Sequence, residues 1–211
     1  MELFNYFRSS ASYRVRIALA LKGLDYVYRP VHLVKNEQQA EPYASASISR
    51  LVPLLKDGDA LIGQSLAILE YLDDTHPEPP LLPADALGRA RVRALAQDIA
   101  CEIHPLNNLR VLRYLTRELA VDEEAKNRWY RHWVEEGLAV FGRRLDDGQA
   151  GRFCHGDQPG LADCVLVPQI FNARRFNCKL DHVPRLMQVF EHCMQHEAFA
   201  KTQPSACPDA E

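Results

Sequence analysis

No run of about 18 apolar residues occurs anywhere in the 211-residue chain, so no segment reads as a transmembrane helix. The first residues also lack a basic stretch followed by an apolar one and a small-residue cleavage site, which makes the cytoplasm the expected location. Charge of one sign is not in excess either, with 25 Lys and Arg against 28 Asp and Glu and a formal net charge of −3. That balance gives no overall attraction to nucleic acid or to an anionic membrane, and neither partner is expected. The six cysteines, at 101, 154, 164, 178, 193 and 207, form no close-spaced framework, and a chain this long does not need disulfide staples. They read as reduced residues, mostly in the core. Cys101-x-x-His104 and His192-Cys193-x-x-His196 each lack a second ligand pair at structural-zinc spacing, so no metal is expected. Internal repeats, low-complexity tracts and any evident paired-carboxylate or Ser/His/Asp arrangement are missing too.

What is present is an alternation of short apolar runs with helical periodicity in the first eighty residues. Strands are expected at 2–7, 26–32, 52–56 and 59–62, with helices at 11–22 and 65–75 and a polar, helical stretch near 36–46. Gly23 is placed to end the first helix, Asp57-Gly58-Asp59 to turn a hairpin, and Ser65 to cap the helix carrying Leu66, Leu69 and Leu72. Pro77-Glu78-Pro79-Pro80 and Pro83 then interrupt the pattern as an ordered linker. Beyond it, 86–117, 122–146, 161–175 and 183–196 are rich in Leu, Ala, Arg and Glu at helical spacing. The expected fold class is α/β plus all-α: a βαβ–ββα domain over 1–78, a linker over 79–85 and a helical bundle over 86–211.

The most informative segment is Phe7-Arg8-Ser9-Ser10-Ala11-Ser12-Tyr13-Arg14-Val15-Arg16, a serine-rich, arginine-flanked turn from strand to helix. Its free N–H groups and dipole favour an anion above Ser9 and Ser10, although the two serines can also serve as helix caps. Ser9 to Leu19, Val52-Pro53, Gln64-Ser65-Leu66-Ala67-Ile68, and Gly156-Asp157 with Ala162-Asp163 together resemble the zeta-class glutathione transferases over nearly the whole chain. The resemblance implies a thioredoxin-like glutathione-binding domain followed by an all-helical domain that completes the substrate site. Three departures stand out: Ala11 replaces the cysteine common after the two serines, Gly160 replaces a Ser or Thr cap, and Arg110 replaces a small polar residue.

The roles implied by the resemblance can be weighed chemically. A hydroxyl of Ser9 or Ser10 would donate to the glutathione sulfur; lowering a thiol pKa from about 8.5 to about 6.5 needs roughly 2.7 kcal/mol. One charge-assisted hydrogen bond with a helix-dipole contribution is of that size. Val52, before a cis Pro53, would pair its backbone with the cysteinyl part of the tripeptide. Gln64 and Ser65 would hold the γ-glutamyl carboxylate, and Ser65 can cap its helix at the same time. Gln39, His104 and Asn108 are further implied contacts to glutathione, with the register around Gln39 open by one residue. Arg8, Arg110 and Arg175 are candidates to grip a substrate carboxylate bidentately, and Arg174 competes with Arg175 for the inward position.

The implied activity is glutathione-dependent cis–trans isomerisation of a small dicarboxylate, maleylpyruvate to fumarylpyruvate, with glutathione as a regenerated cofactor. Maleylacetoacetate is the alternative substrate, since the two differ by one methylene worth only ~1–3 kcal/mol of discrimination. General glutathione conjugation and α-halo acid dehalogenation are further alternatives. The family also implies a homodimer.

Overall fold

The computed structural model describes residues 1–211 and divides into two compact units, Met1–Leu81 with Met194–Glu211, and Leu82–Cys193. The expected 86–211 domain is therefore corrected at its C-terminal end. Residues 194–211 belong to the first unit, because their hydrogen bonds reach back to residues 7–35.

In the first unit the chain runs β1 (Glu2–Asn5), α1 (Ser10–Leu21), β2 (Val27–Pro30), a 3-10 turn at Glu37–Gln39, α2 (Tyr43–Ala46), β3 (Leu54–Asp57), β4 (Ala60–Gly63) and α3 (Ser65–Thr75). The sheet order is β2-β1-β3-β4, with β1 parallel to β2 and antiparallel to β3. Gly23 and Gly58 sit at φ +63° and +55°, left-handed positions that glycine fills without steric cost, so α1 stops and the β3–β4 hairpin turns where expected. Leu3, Leu55, Val15, Ile17, Leu19, Ile68, Leu69 and Leu72 are fully buried and form the core.

Helix α1 is not amphipathic in the expected way; it is buried along almost its whole length, Arg14 and Arg16 included. Arg16 is tolerated inside because every arm of its guanidinium is used. Nε donates to Thr202 O (3.1 Å), Nη1 to Asn5 Oδ1 (3.0 Å) and Nη2 to Phe7 O (3.1 Å), while the plane lies over the Tyr13 ring. At the other end Lys22 Nζ, also buried, reaches Asp73 Oδ1, His76 O and Pro79 O and ties α1 to α3.

The second unit holds α4 (Ala86–Gln97), a π-helical turn (Asp98–Ile103), a 3-10 turn (Pro105–Asn107), α5 (Leu109–Arg117), α6 (Glu123–Leu145), α7 (Leu161–Arg175) and most of α8 (Pro184–Gln195), after which α9 (Glu197–Ala200) lies in the first unit. The single helix expected over 86–117 is thus broken. Pro105 has no N–H to continue the ladder, and Asn108 restarts it as an N-cap whose Oδ1 accepts from Arg110 N (3.1 Å). The π-helical turn presses so closely on α6 that a Cβ at Gly137 would meet Ile103 Cγ1 at 2.3 Å. Buried α7 starts at Gly160, whose N–H donates to Asp163 Oδ2 (2.9 Å), so the acid supplies the closure that glycine lacks.

Candidate active site

The start of α1 is closed by Ser9. Its backbone is extended (φ −69°, ψ 115°) and its Oγ accepts from Ser12 N (3.2 Å), leaving the hydroxyl proton to be donated elsewhere. The Ser9 N–H donates to Tyr6 O (2.9 Å), which fixes the turn. Ser10 is the first helical residue and is buried. Arg8 is exposed, its guanidinium 4.8 Å from the Phe7 ring centre.

The start of α3 differs from expectation. Ser65 is not the N-cap; it is the first helical residue, and the cap position is Gln64 at φ 66°, ψ 115°, with no side-chain cap bond. The first amides of α3 are thus left open to an external acceptor. The Ser65 hydroxyl instead accepts from Arg14 Nη1 (3.1 Å) in a buried contact. Arg14, which the sequence offers only as part of an arginine-flanked turn, is buried here. The bond ties the second turn of α1 to the first residue of α3 and leaves a buried positive charge next to the Ser65 hydroxyl. The signal of Arg14 in the sequence is a long cation between small and apolar helix neighbours.

Between these helix starts in sequence, Val52 is buried and the Val52–Pro53 peptide is cis. Tyr43 Oη donates to Leu51 O (2.6 Å), which holds the approach to that turn, and burial raises the phenol's pKa so that it remains a donor. Gln39 is exposed and accepts from Arg50 Nη1 (3.0 Å), whereas neighbouring Gln38 is buried with its Oε1 unpartnered. The first unit also contains a cavity of about 580 Å³ lined by Phe4, Val31, Tyr43, Leu61 and Lys56 among others; no candidate site residue lines it.

In the second unit Asn108 Nδ2 lies 3.4 Å from His104 Nε2, so the two side chains meet although the intervening residues form a 3-10 rather than an α-helical turn. Arg110 is exposed on α5. Arg174 and Arg175 part company: Arg174 lies over the Phe190 ring (4.5 Å) and Arg175 over Phe176 (5.1 Å), itself stacked on Tyr130. All six cysteines are free, and burial raises the pKa of Cys154, Cys178, Cys193 and Cys207, Cys178 to about 12. None of these four is disposed to act as a thiolate at neutral pH.

A mixed four-stranded sheet of order β2-β1-β3-β4, a buried arginine of α1 bound to the first residue of α3 and a separate helical unit define a protein of the glutathione transferase fold. Residues 3–80 match the glutathione S-transferase N-terminal domain family. A probable maleylacetoacetate isomerase of Vibrio cholerae is 47% identical over 210 residues, covering 99% of this chain and 97% of the relative. The solved holo structure of a bacterial zeta-class maleylpyruvate isomerase is 44% identical and superposes with a TM-score of 0.98 over all of both chains. A maleylacetoacetate isomerase of Anaeromyxobacter dehalogenans, solved with dicarboxyethyl glutathione and citrate in its active site, is 45% identical over 100% of this chain and 97% of that one, with a TM-score of 0.88. The chain belongs to the zeta-class glutathione transferases.

Proposed function

We propose that the protein catalyses the glutathione-dependent cis–trans isomerisation of maleylpyruvate to fumarylpyruvate. The main support is full-length similarity, at 44% identity, to a solved maleylpyruvate isomerase. The 47% identity to a probable maleylacetoacetate isomerase favours maleylacetoacetate as the second substrate to test.

The chain's own groups fit glutathione. Ser9 keeps a hydroxyl proton to donate, and its helix dipole adds positive potential at the same place. The first amides of α3, which no side chain caps, and the exposed Gln64 suit a carboxylate. When bound, glutathione supplies the sulfur nucleophile that adds to the cis double bond and leaves once the carbon–carbon bond has turned. Ser9 and Ser10 hold that sulfur ionised, and Arg14 fixes the spacing of the two helix starts through Ser65. In this proposal Arg8, Arg110 and Arg175 receive the substrate carboxylates and the developing enolate charge, while Gln39, His104 and Asn108 contribute to tripeptide binding. No protein thiol is needed, in keeping with Ala11 in the signature. A homodimer in the cytoplasm is the proposed working form; exposed Leu61 and Leu87 offer apolar area for association, and sedimentation velocity tests it.

The deciding experiment follows loss of maleylpyruvate with glutathione present in catalytic amounts. Many turnovers with glutathione undiminished are expected, and none without thiol. One glutathione consumed per product would instead identify a conjugating enzyme, and equal turnover without any thiol would refute the proposal.

A further inference from the structure

The C-terminal segment does more than cover the first unit. Residues 194–211 grip α1 and the turn before it at successive points. Tyr13 Oη donates to Phe199 O (2.9 Å), Arg16 Nε to Thr202 O (3.1 Å), and the Phe7 N–H to Asp209 Oδ2 (3.4 Å). The other oxygen of Asp209 accepts a short hydrogen bond from the Tyr28 hydroxyl on β2. Burial first, and Asp209 second, raise the Tyr28 pKa, so this phenol stays protonated as the donor that aims the carboxylate. Further on, Glu211 meets His32 Nε2 (3.2 Å) and Lys35 Nζ (3.3 Å), anchoring the end of the tail elsewhere on the unit.

Phe7 lies two residues before Ser9, and both of its backbone polar groups are taken by this arrangement. Its carbonyl accepts from Arg16 Nη2 (3.1 Å) and its amide is held by Asp209. The preceding carbonyl, Tyr6 O, accepts the Ser9 N–H. A turn pinned on both sides cannot shift the backbone that carries the two serines without breaking charge-assisted bonds.

We infer that Asp209 is a positioning residue for the thiol site, holding the β1–α1 turn through Phe7 so that the serine hydroxyls face the sulfur. This inference rests on the glutathione-dependent activity proposed above. Tyr28 is its accessory, and the tail thereby acts on chemistry carried by residues almost two hundred positions earlier.

The test compares Asp209→Ala, Asp209→Asn and Tyr28→Phe with the native chain, and takes Glu211→Gln, at the far anchor, as the control. Asp209→Ala is expected to lower kcat per folded molecule roughly tenfold, the loss of one hydrogen bond to a charged group, with the KM for the dicarboxylate unchanged within about twofold. The ultraviolet absorbance of the bound glutathione thiolate at neutral pH falls in parallel. Asp209→Asn, which keeps one acceptor oxygen, and Tyr28→Phe lie between it and the native chain, and Glu211→Gln matches the native chain. Native kcat and thiolate absorbance in Asp209→Ala would overturn the inference whatever its melting temperature; should that variant fail to fold, the same outcome in Tyr28→Phe decides. If the native chain itself neither binds glutathione nor isomerises, the functional proposal fails instead. Amide hydrogen exchange at residues 7–10 then tests the clamp alone: faster exchange in Asp209→Ala supports it, and unchanged exchange refutes it.

Discussion

Replacing Gln64 by glycine should make the protein more stable and less able to bind glutathione. Gln64 caps α3 at φ 66°, ψ 115°, a region that a side chain enters at a cost of about 1–3 kcal/mol and glycine enters freely. Against that gain stands the greater freedom of glycine in the unfolded chain, about 0.4–1 kcal/mol. The net gain is roughly 0–2.5 kcal/mol, which at about 2–4 °C per kcal/mol for a chain this size raises the melting temperature by up to roughly 10 °C. The same change deletes a carboxamide that makes no cap bond to its own helix and is proposed to bind the γ-glutamyl carboxylate. Loss of one hydrogen bond to a charged group costs about 1.5–3 kcal/mol, a roughly 10- to 150-fold weaker affinity. Scanning calorimetry of the apoprotein and titration calorimetry with glutathione read the two effects separately. A lower melting temperature with unchanged glutathione affinity would refute the reasoning, because strain would then be absent and the side chain structural.

The remaining expectations follow from the same geometry. Ser9→Ala should lose about 0.5–2 kcal/mol of stability, because the Ser12 amide loses its acceptor, and thermal unfolding reads this; Ser10→Ala should lower kcat if Ser10 serves the thiol, and steady-state kinetics read that. Arg91 holds Asp147 in a two-pronged ion pair (2.6 and 2.9 Å) that lowers the carboxyl pKa. A depressed carboxyl stabilises the fold above its unfolded value near 3.8 and loses that contribution as pH falls through the folded value. Asp147→Asn should therefore be less stable than the native chain at neutral pH by about 1 kcal/mol or less, since the pair is partly solvent-screened, and the gap should close in acid; denaturant titrations across pH check this. Of the six cysteines Cys101 is exposed and should react first with a thiol reagent under native conditions, and peptide mapping after a short pulse identifies it.

Much of this architecture is legible locally. Gly23 and Gly58 mark a helix end and a hairpin because left-handed backbone can be read from one residue, and the β1–α1 serines stand out because hydroxyls before a helical apolar pattern cap it. The less legible features depend on distant partners. Arg14 and Arg16 look like surface cations until Ser65, Phe7 and Thr202 supply acceptors up to 186 positions away. Ser65 looks like a cap because Ser usually is one, yet a buried guanidinium takes its hydroxyl and shifts the cap to Gln64. The break near Pro105 was written in the proline, but helical periodicity on both sides concealed it. The expected 86–211 boundary likewise takes 194–211 in with the helices, because nothing local marks its end, although hydrogen bonds to α1 assign them to the sheet unit.

The Arg14–Ser65 bond has a consequence for how the proposed site can evolve. In the proposed site the thiol-facing and carboxylate-facing turns lie on different helices, and their separation would have to match the span of one tripeptide. A buried guanidinium joining α1 to the first residue of α3 sets that separation from inside the core, where it is shielded from solvent and from substrate. A charge left there without its acceptor is costly, so loosening one turn destabilises the other. In the proposed site this bond would hold the sulfur and carboxylate ends at one fixed spacing. On this proposal, variation in substrate preference would fall to residues such as Arg110, which is exposed on α5 and makes no side-chain bond to the Arg14–Ser65 pair.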